Sequence, residues 1–168
     1  MDVVVHTPDN ATGATLVIEN GDLDLNGHRL STDNGSALTI IFSGTKAGGY
    51  SHVPKGSNPS TLDFMAPTSG PWSGVAIYQD PMLTNGVDIA EAGNNPTWDI
   101  TGLVYLPHAI VNFNGAVNKS SNGASCFVMV AWDVTISGSG SIAETGGCHA
   151  AGLTMPSAEI RGRGQLVG

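Results

Sequence analysis

The stretch Val111-Asn112-Phe113-Asn114-Gly115 carries the pattern that decides the fold: two apolar residues separated by one position, and a glycine two positions further on. In a β-strand, residues two apart share a face, so both apolar side chains can be buried together. A glycine at the end allows a bend that a residue with a Cβ would resist. The pattern therefore predicts a short strand that buries one face and then turns a corner.

The same pattern recurs along the chain, seven times in all, against about four occurrences expected from the composition. The other six lie at Leu23-Leu25-Gly27, Ile40-Phe42-Gly44, Trp98-Ile100-Gly102, Val134-Ile136-Gly138, Cys148-Ala150-Gly152 and Ala158-Ile160-Gly162. Gly115, Gly138 and Gly162 lie 23 and 24 positions apart, and the interval from Gly44 to Gly115 has room for three more units of this size. Such a repeat is typical of a chain that winds into stacked coils, whose strands pair in parallel.

The sequence thus predicts an all-β fold, and specifically a right-handed single-stranded parallel β-helix that forms one domain over residues 1–168. A β-sandwich or jelly roll stays open as the alternative, because strands alternating with short turns suit it as well. A Gly-, Ser- and Pro-rich tract predicts a long loop around residues 48–74. Strands are predicted at 15–18, 23–25, 37–42, 75–78, 98–106, 109–113, 127–136 and 159–166.

The charge balance excludes one class of partner. Fourteen acidic residues stand against six basic ones, which gives a formal charge of −8. Binding to a phosphate backbone depends on clustered Lys and Arg, so we expect no nucleic-acid partner. Anionic membrane surfaces are disfavoured for the same reason.

No group of residues in the sequence predicts catalysis, a metal site or a cofactor. Asp22 and Asp24 share one face of a predicted strand, as a glycosidase pair could, but they alternate with Leu23 and Leu25 and so fit a solvated outer face better. The histidines occur singly, without ligand spacing, at His6, His28, His52, His108 and His149. A structural calcium stays conceivable, although no calcium-binding motif is present.

Three aromatic residues are candidates for surface contact: Trp72, Tyr78 and Trp98. Exposed aromatic side chains can stack on sugars or anchor a protein partner. The alternative, which we favour for Trp72 and Trp98, is that they cover the flank of the core beneath the long loop.

The two cysteines, Cys126 and Cys148, are either a pair of buried thiols or a disulfide. The charge-poor, Gly-, Thr- and Asn-rich composition resembles that of exported β-proteins, which favours the disulfide and an extracytoplasmic location in the periplasm, in the cell envelope or outside the cell.

Several segments resemble the carboxy-terminal region of TadG-related proteins, which belong to the tight-adherence (Flp) pilus system of bacteria. They are Gly74-Val-Ala-Ile-Tyr-Gln-Asp80, the stretch from Ile100 to Gly115, the stretch from Cys126 to Ile142 with Cys148, and Asn20 to Gly27. The resemblance covers most of residues 20–148. It implies a Cys126–Cys148 disulfide, a membrane anchor in a preceding segment of the full-length protein, and a role in pilus assembly or adhesion.

Two functions follow as expectations. The first is a non-enzymatic extracytoplasmic module that acts through pilus-assembly or cell-surface proteins. The second is a carbohydrate-binding or carbohydrate-active β-helix, similar to a glycosidase or a lyase, which would need carboxylates or basic residues along one groove together with exposed Trp72 or Tyr78.

Overall fold

The structure is a computed structural model that describes residues 1–9, 11–45, 60–83, 87–92, 98–114, 126–137 and 147–154. In these residues the chain forms nine β-strands and no α-helix. The strands are β1 (Val3–Val5), β2 (Ala14–Glu19), β3 (Arg29–Thr32), β4 (Leu38–Ser43), β5 (Thr61–Met65), β6 (Val75–Gln79), β7 (Val87–Ala92), β8 (Trp98–Asn114) and β9 (Phe127–Ser137).

Every pairing among these strands is parallel, and the pairings form three groups. Sheet A runs β1-β3-β5 to the start of β8. Sheet B runs β2-β4-β6 to the middle of β8 and then to the first half of β9. Sheet C joins β7, the end of β8 and the second half of β9. The long strand β8 passes through all three sheets and links them.

Paired residues lie one coil apart in sequence. Leu16 pairs with Ile40, 24 positions later, and Ile40 pairs with Ile77, 37 positions later. The predicted all-β class is confirmed, and the parallel sheet is compatible with a β-helix-like fold. The described strands do not fit a β-sandwich or jelly roll, whose strands pair antiparallel.

The core lies between the inner faces of the sheets. Leu30, Leu62 and Trp98 form one inward row in sheet A, while Ile40, Ile77 and Val104 form another in sheet B; all six are buried. Ile40 with Phe42, and Trp98 with Ile100, are therefore inward pairs as the sequence pattern predicts. Burying such side chains stabilises each one by about 1.5–3 kcal/mol relative to leaving it in water.

Gly102 marks the corner where β8 passes from sheet A to sheet B. Its φ is +128°, a backbone conformation that side-chain-bearing residues rarely adopt. A Cβ at this position would lie 2.7 Å from the Cβ of Ala66 and 2.9 Å from the carbonyl oxygen of Gly74 on the preceding coil. The coils can approach this closely because the corner residue has no side chain.

The coils are larger and less regular than the sequence predicts. Among the described residues between Gly44 and Gly115, β6 and β8 belong to two coils, where the repeat has room for three units. The segment predicted as a loop around 48–74 contains β5, and its residues 48–59 lie outside the described residues. Residues 23–25 form no strand, although Leu23 is buried. The predicted strand at 159–166 lies outside the described residues.

We expect Gly102→Ala to lower the free energy of unfolding by about 1–3 kcal/mol more than Gly35→Ala does. Both glycines have positive φ, but a Cβ at Gly35 would have no neighbour within 4 Å, so the difference isolates the close packing of the coils. Urea unfolding followed by circular dichroism measures both variants. Equal losses would show that the corner at Gly102 is not tightly packed.

Candidate functional site

A row of outward-facing apolar side chains crosses all five strands of sheet B. Its members pair in continuous register from one strand to the next, so each side chain lies directly above its neighbour on the adjacent coil. We call this set the apolar row: Val17, Ile41, Tyr78, Tyr105 and Val130.

The burial of flanking residues shows that the apolar row faces away from the core. Ile41 lies between Ile40 and Phe42, which are fully buried, and successive side chains of a strand point to opposite faces. Ile41, Tyr78 and Tyr105 are half-buried. At the two ends, Val17 is 57% exposed and Val130 is 41% exposed.

Aromatic rings form the centre of the apolar row. Tyr78 and Tyr105 stack with their ring centroids 5.5 Å apart and their planes 17° apart. Trp72, in the corner segment before β6, packs against Tyr78 at a centroid distance of 5.4 Å with the planes tilted by 52°. The rings thus pack against one another. Stacking on a sugar requires an open ring face, so this arrangement suits contacts through ring edges and hydroxyl groups.

Trp72 and Tyr78, two of the residues predicted to make surface contacts, therefore lie together and half-buried on the outer side of sheet B. Trp98 does not make surface contacts, and the favoured alternative, that it covers the core, agrees with its burial. Trp98 is 1% exposed and pairs with Leu62 in the inward row of sheet A. Its own pattern, Trp98-x-Ile100-x-Gly102, already placed it on an inward face.

Sequence reasoning missed several residues of this surface. Tyr105 is one, and Trp132, two positions beyond Val130, is another; its side chain is 75% exposed. The alternation in Leu103-x-Tyr105 and Val128-x-Val130-x-Trp132 was the available signal. It could not be used without the register, which decides which of the two faces points to the core.

An acidic border follows the apolar row along one side. Glu19, Ser43 and Asp80 each lie two residues beyond a member of the row, and Glu19 pairs with Ser43. The Ser43 hydroxyl donates to Asp80 Oδ2 at 3.4 Å, and Asp80 Oδ1 accepts from the Met82 backbone N–H at 2.9 Å. We call Glu19, Ser43 and Asp80 the acidic border.

The outer side of sheet A has a different chemistry. Ser31, Asp63 and Asp99 lie in register on three neighbouring strands, and Arg29 forms an ion pair with Asp63. Val4 continues this row on β1 and is 61% exposed. Apolar side chains thus form a row across sheet B, while the corresponding row on sheet A consists of polar and charged side chains with Val4 at its edge.

A disulfide joins Cys126, at the start of β9, to Cys148, with their Cα atoms 4.6 Å apart. It attaches residues 147–154 to the corner of the coils. There the Ser73 hydroxyl donates to the Gly152 carbonyl at 2.9 Å, and Leu153 lies against Gly74. A disulfide is compatible with an oxidising, extracytoplasmic location.

The carboxylates considered for catalysis have structural surroundings. Asp22 and Asp24 are exposed, and Asp24 Oδ1 accepts from the Asn26 backbone N–H at 2.8 Å, which stabilises a turn. Within the described part of the chain, no three His, Cys, Asp or Glu side chains are placed to hold a metal ion. His52 lies outside the described residues.

Asp33 links the corner between β3 and β4 to the first coil. Hydrogen bonds from the Ser36 side chain and from His6 hold the pKa of the Asp33 carboxyl below its ordinary value of 3.8. The His6 Nδ1 to Asp33 Oδ2 distance is 2.5 Å. Ser36 Oγ also accepts the Thr7 backbone N–H at 2.9 Å, so this small network joins two coils.

Comparison with protein-family models, with curated proteins and with solved structures finds no match to the chain. No helix in the described ranges is long and apolar enough to cross a membrane.

Loss of the disulfide should lower the free energy of unfolding by about 3 kcal/mol, because the bond closes a loop over a separation of 22 residues. Urea unfolding of the chain with and without a reductant measures the loss. The double variant Cys126→Ser with Cys148→Ser serves as the control, since the reductant should not affect it. Unchanged stability after complete reduction, verified by thiol titration, would contradict this role.

Lowering the pH should remove the contribution of the Asp33 network to stability. Because the folded-state pKa is lowered, the contribution of Asp33 is fully present above pH 3.8 and is lost as the pH falls from 3.8 through the folded-state pKa. We expect Asp33→Asn to flatten the fall in stability below pH 4, and Asp9→Asn, an equal charge change at an exposed site, to leave it unchanged. Identical acid unfolding curves for both variants would exclude the effect.

Proposed function

We propose that the chain is a non-enzymatic, extracytoplasmic interaction module that contacts another protein through the apolar row on the outer side of sheet B. The row is the observation that carries this proposal. Five apolar side chains on five hydrogen-bonded strands form a continuous outward surface, and contiguous exposed apolar surfaces mark interaction sites. Tyrosine and tryptophan are among the residues most enriched in protein interfaces.

The architecture that we propose for this module is a right-handed single-stranded parallel β-helix. Parallel pairing between residues 22 to 37 positions apart supports it, because a winding chain brings its strands together in this way. Connections between parallel strands of one sheet are right-handed in almost all proteins, which favours that hand.

The biological setting that we propose is the tight-adherence pilus, with the chain as part of a TadG-related protein anchored in the membrane by another segment. The resemblance in sequence supports this assignment. Three members of the apolar row, Tyr78, Tyr105 and Val130, lie within the segments that carry the resemblance. The partner would then be a pilus-assembly or cell-surface protein.

Carbohydrate binding is the second candidate function, and one observation favours it. The Trp132 side chain is 75% exposed, so its ring can present an open face to a sugar. The acidic, Lys- and Arg-poor composition supports neutral glycans over polyanionic ones as ligands. Binding to a glycan array that Trp132→Ser abolishes and Val17→Glu leaves unchanged would favour this candidate.

The test compares Val17→Glu with Val4→Glu in cells that make the full-length protein. Both valines lie on the first coil with similar exposure, 57% and 61%, but Val17 belongs to the apolar row of sheet B and Val4 to the outer side of sheet A. We expect Val17→Glu to reduce surface attachment or pilus assembly by about tenfold or more, because the interface would bury an unpaired carboxylate. Val4→Glu should behave as the unmodified protein.

Two results would contradict the proposal. One is an equal effect of the two substitutions, with both proteins present in equal amounts at the cell surface. The other is turnover of a glycan by the purified chain that Asp22→Asn or Asp24→Asn abolishes, since this would make the protein an enzyme.

A further inference from the structure

The dimensions of the outer side of sheet B limit what can cover it. Five strands are separated by four spacings of about 4.8 Å, so the apolar row is about 19 Å long. On three of these strands a second row of half-buried apolar side chains, Val75, Leu103 and Val128, runs beside it, with a register shift between Val75 and Ile77 on β6. Together the rows form a narrow apolar band as long as a helix of about 13 residues.

The backbone of sheet B favours a helix over an extended peptide as the occupant. In the inner strands of the sheet, such as β4 and β6, neighbouring strands on both sides use the backbone N–H and C=O groups. The face therefore offers only side chains. An extended segment laid on it would leave its own backbone groups without partners, whereas a helix satisfies nearly all of its hydrogen bonds internally.

Charge limits the occupant further. The acidic border places the carboxylates of Glu19 and Asp80 along one side of the band, and no Lys or Arg of the described ranges lies on that border. Arg29, the one described Lys or Arg residue, is paired with Asp63 on sheet A. On the other side of the apolar row, on β2 and β4, lie Thr15 and Thr39, which are uncharged, and Thr39 is buried. A complementary segment is therefore apolar with basic residues along one edge only.

We infer that the apolar row binds an amphipathic α-helix of a partner protein, with Lys or Arg along the helix edge that meets Glu19 and Asp80. This inference rests on the proposed function and specifies the partner. An anionic membrane is disfavoured because the border and the net charge of −8 repel it. A second copy of the chain is disfavoured because it would bring a second acidic border to the same surface.

Synthetic peptides test this inference on the purified chain. The first peptide has 14 residues, with Leu at positions i, i+3, i+4 and i+7 and Lys along one edge. The second has Glu in place of each Lys, and the third is a scrambled version of the first. Fluorescence anisotropy measures the Kd, and circular dichroism measures the helix content of the bound peptide. The unmodified chain and its Val17→Glu and Val4→Glu variants are also tested for binding to anionic phosphatidylserine vesicles. Sedimentation velocity measures the oligomeric state of the free chain.

We expect the Lys peptide to bind as a helix, at least about tenfold more tightly than the Glu peptide or the scrambled one. Val17→Glu should weaken its binding by about tenfold, and Val4→Glu should not change it. Glu19→Gln with Asp80→Asn should weaken it by about three- to tenfold and reduce its dependence on salt, because these substitutions remove the two border charges.

Several results would overturn the inference. They are equal binding of the three peptides, loss of binding in Val4→Glu but not in Val17→Glu, vesicle binding that depends on Val17, and a dimer of the free chain that Val17→Glu dissociates. If no peptide binds while Val17→Glu still abolishes attachment in cells, the helical partner is excluded and the proposed function stands. If the peptides bind as expected while attachment is unaffected, the row binds helices but the proposed cellular role fails.

Discussion

Parallel pairing between strands of successive coils is the constraint on which the rest of the structure depends. Because each residue pairs with its equivalent one coil away, side chains of one type line up in rows, either inward or outward. The inward rows, such as Ile40, Ile77 and Val104, form the core. The outward row that ends in Val17 and Val130 forms a surface by the same geometry. A slip of one residue in register would turn the inward side chains outward and the outward side chains inward.

The corners keep this register. Gly102 lets β8 turn from sheet A to sheet B against Ala66 and Gly74, where a side chain would separate the coils. The Cys126–Cys148 disulfide then attaches the segment 147–154 to the same corner, next to Ser73 and Gly74. The two features fix the end of sheet B at which Trp72 packs on Tyr78. Trp72, which packs on Tyr78, directly precedes Ser73 and Gly74 in this corner.

The sequence predicts two of the inward pairs and not the outward row. Val134 and Ala150, which the same pattern places inward, are exposed. Ile40 with Phe42 and Trp98 with Ile100 follow from local periodicity, since two residues of one strand decide which face is apolar. The apolar row depends on which residues of different coils become neighbours, and the coils take from 22 to 37 residues. The pairing of Tyr78 with Tyr105 can be predicted only when the length of the coil between them is known. Strand β5 was missed because Thr61–Met65 follows a Pro- and Ser-rich tract that resembles a loop. Trp98 is a candidate for surface contact by residue type alone, whereas its strand pattern favours the buried position that it occupies.

The central claim is that a single register places Val17, Ile41, Tyr78, Tyr105 and Val130 in one row across sheet B. Nuclear Overhauser effects between backbone protons of the labelled chain test it most directly, because residues paired in a parallel ladder give short inter-strand proton distances. The claim predicts inter-strand contacts along the successive pairs Val17–Ile41, Ile41–Tyr78, Tyr78–Tyr105 and Tyr105–Val130. Contacts displaced by one residue, or the pattern of antiparallel strands, would contradict it.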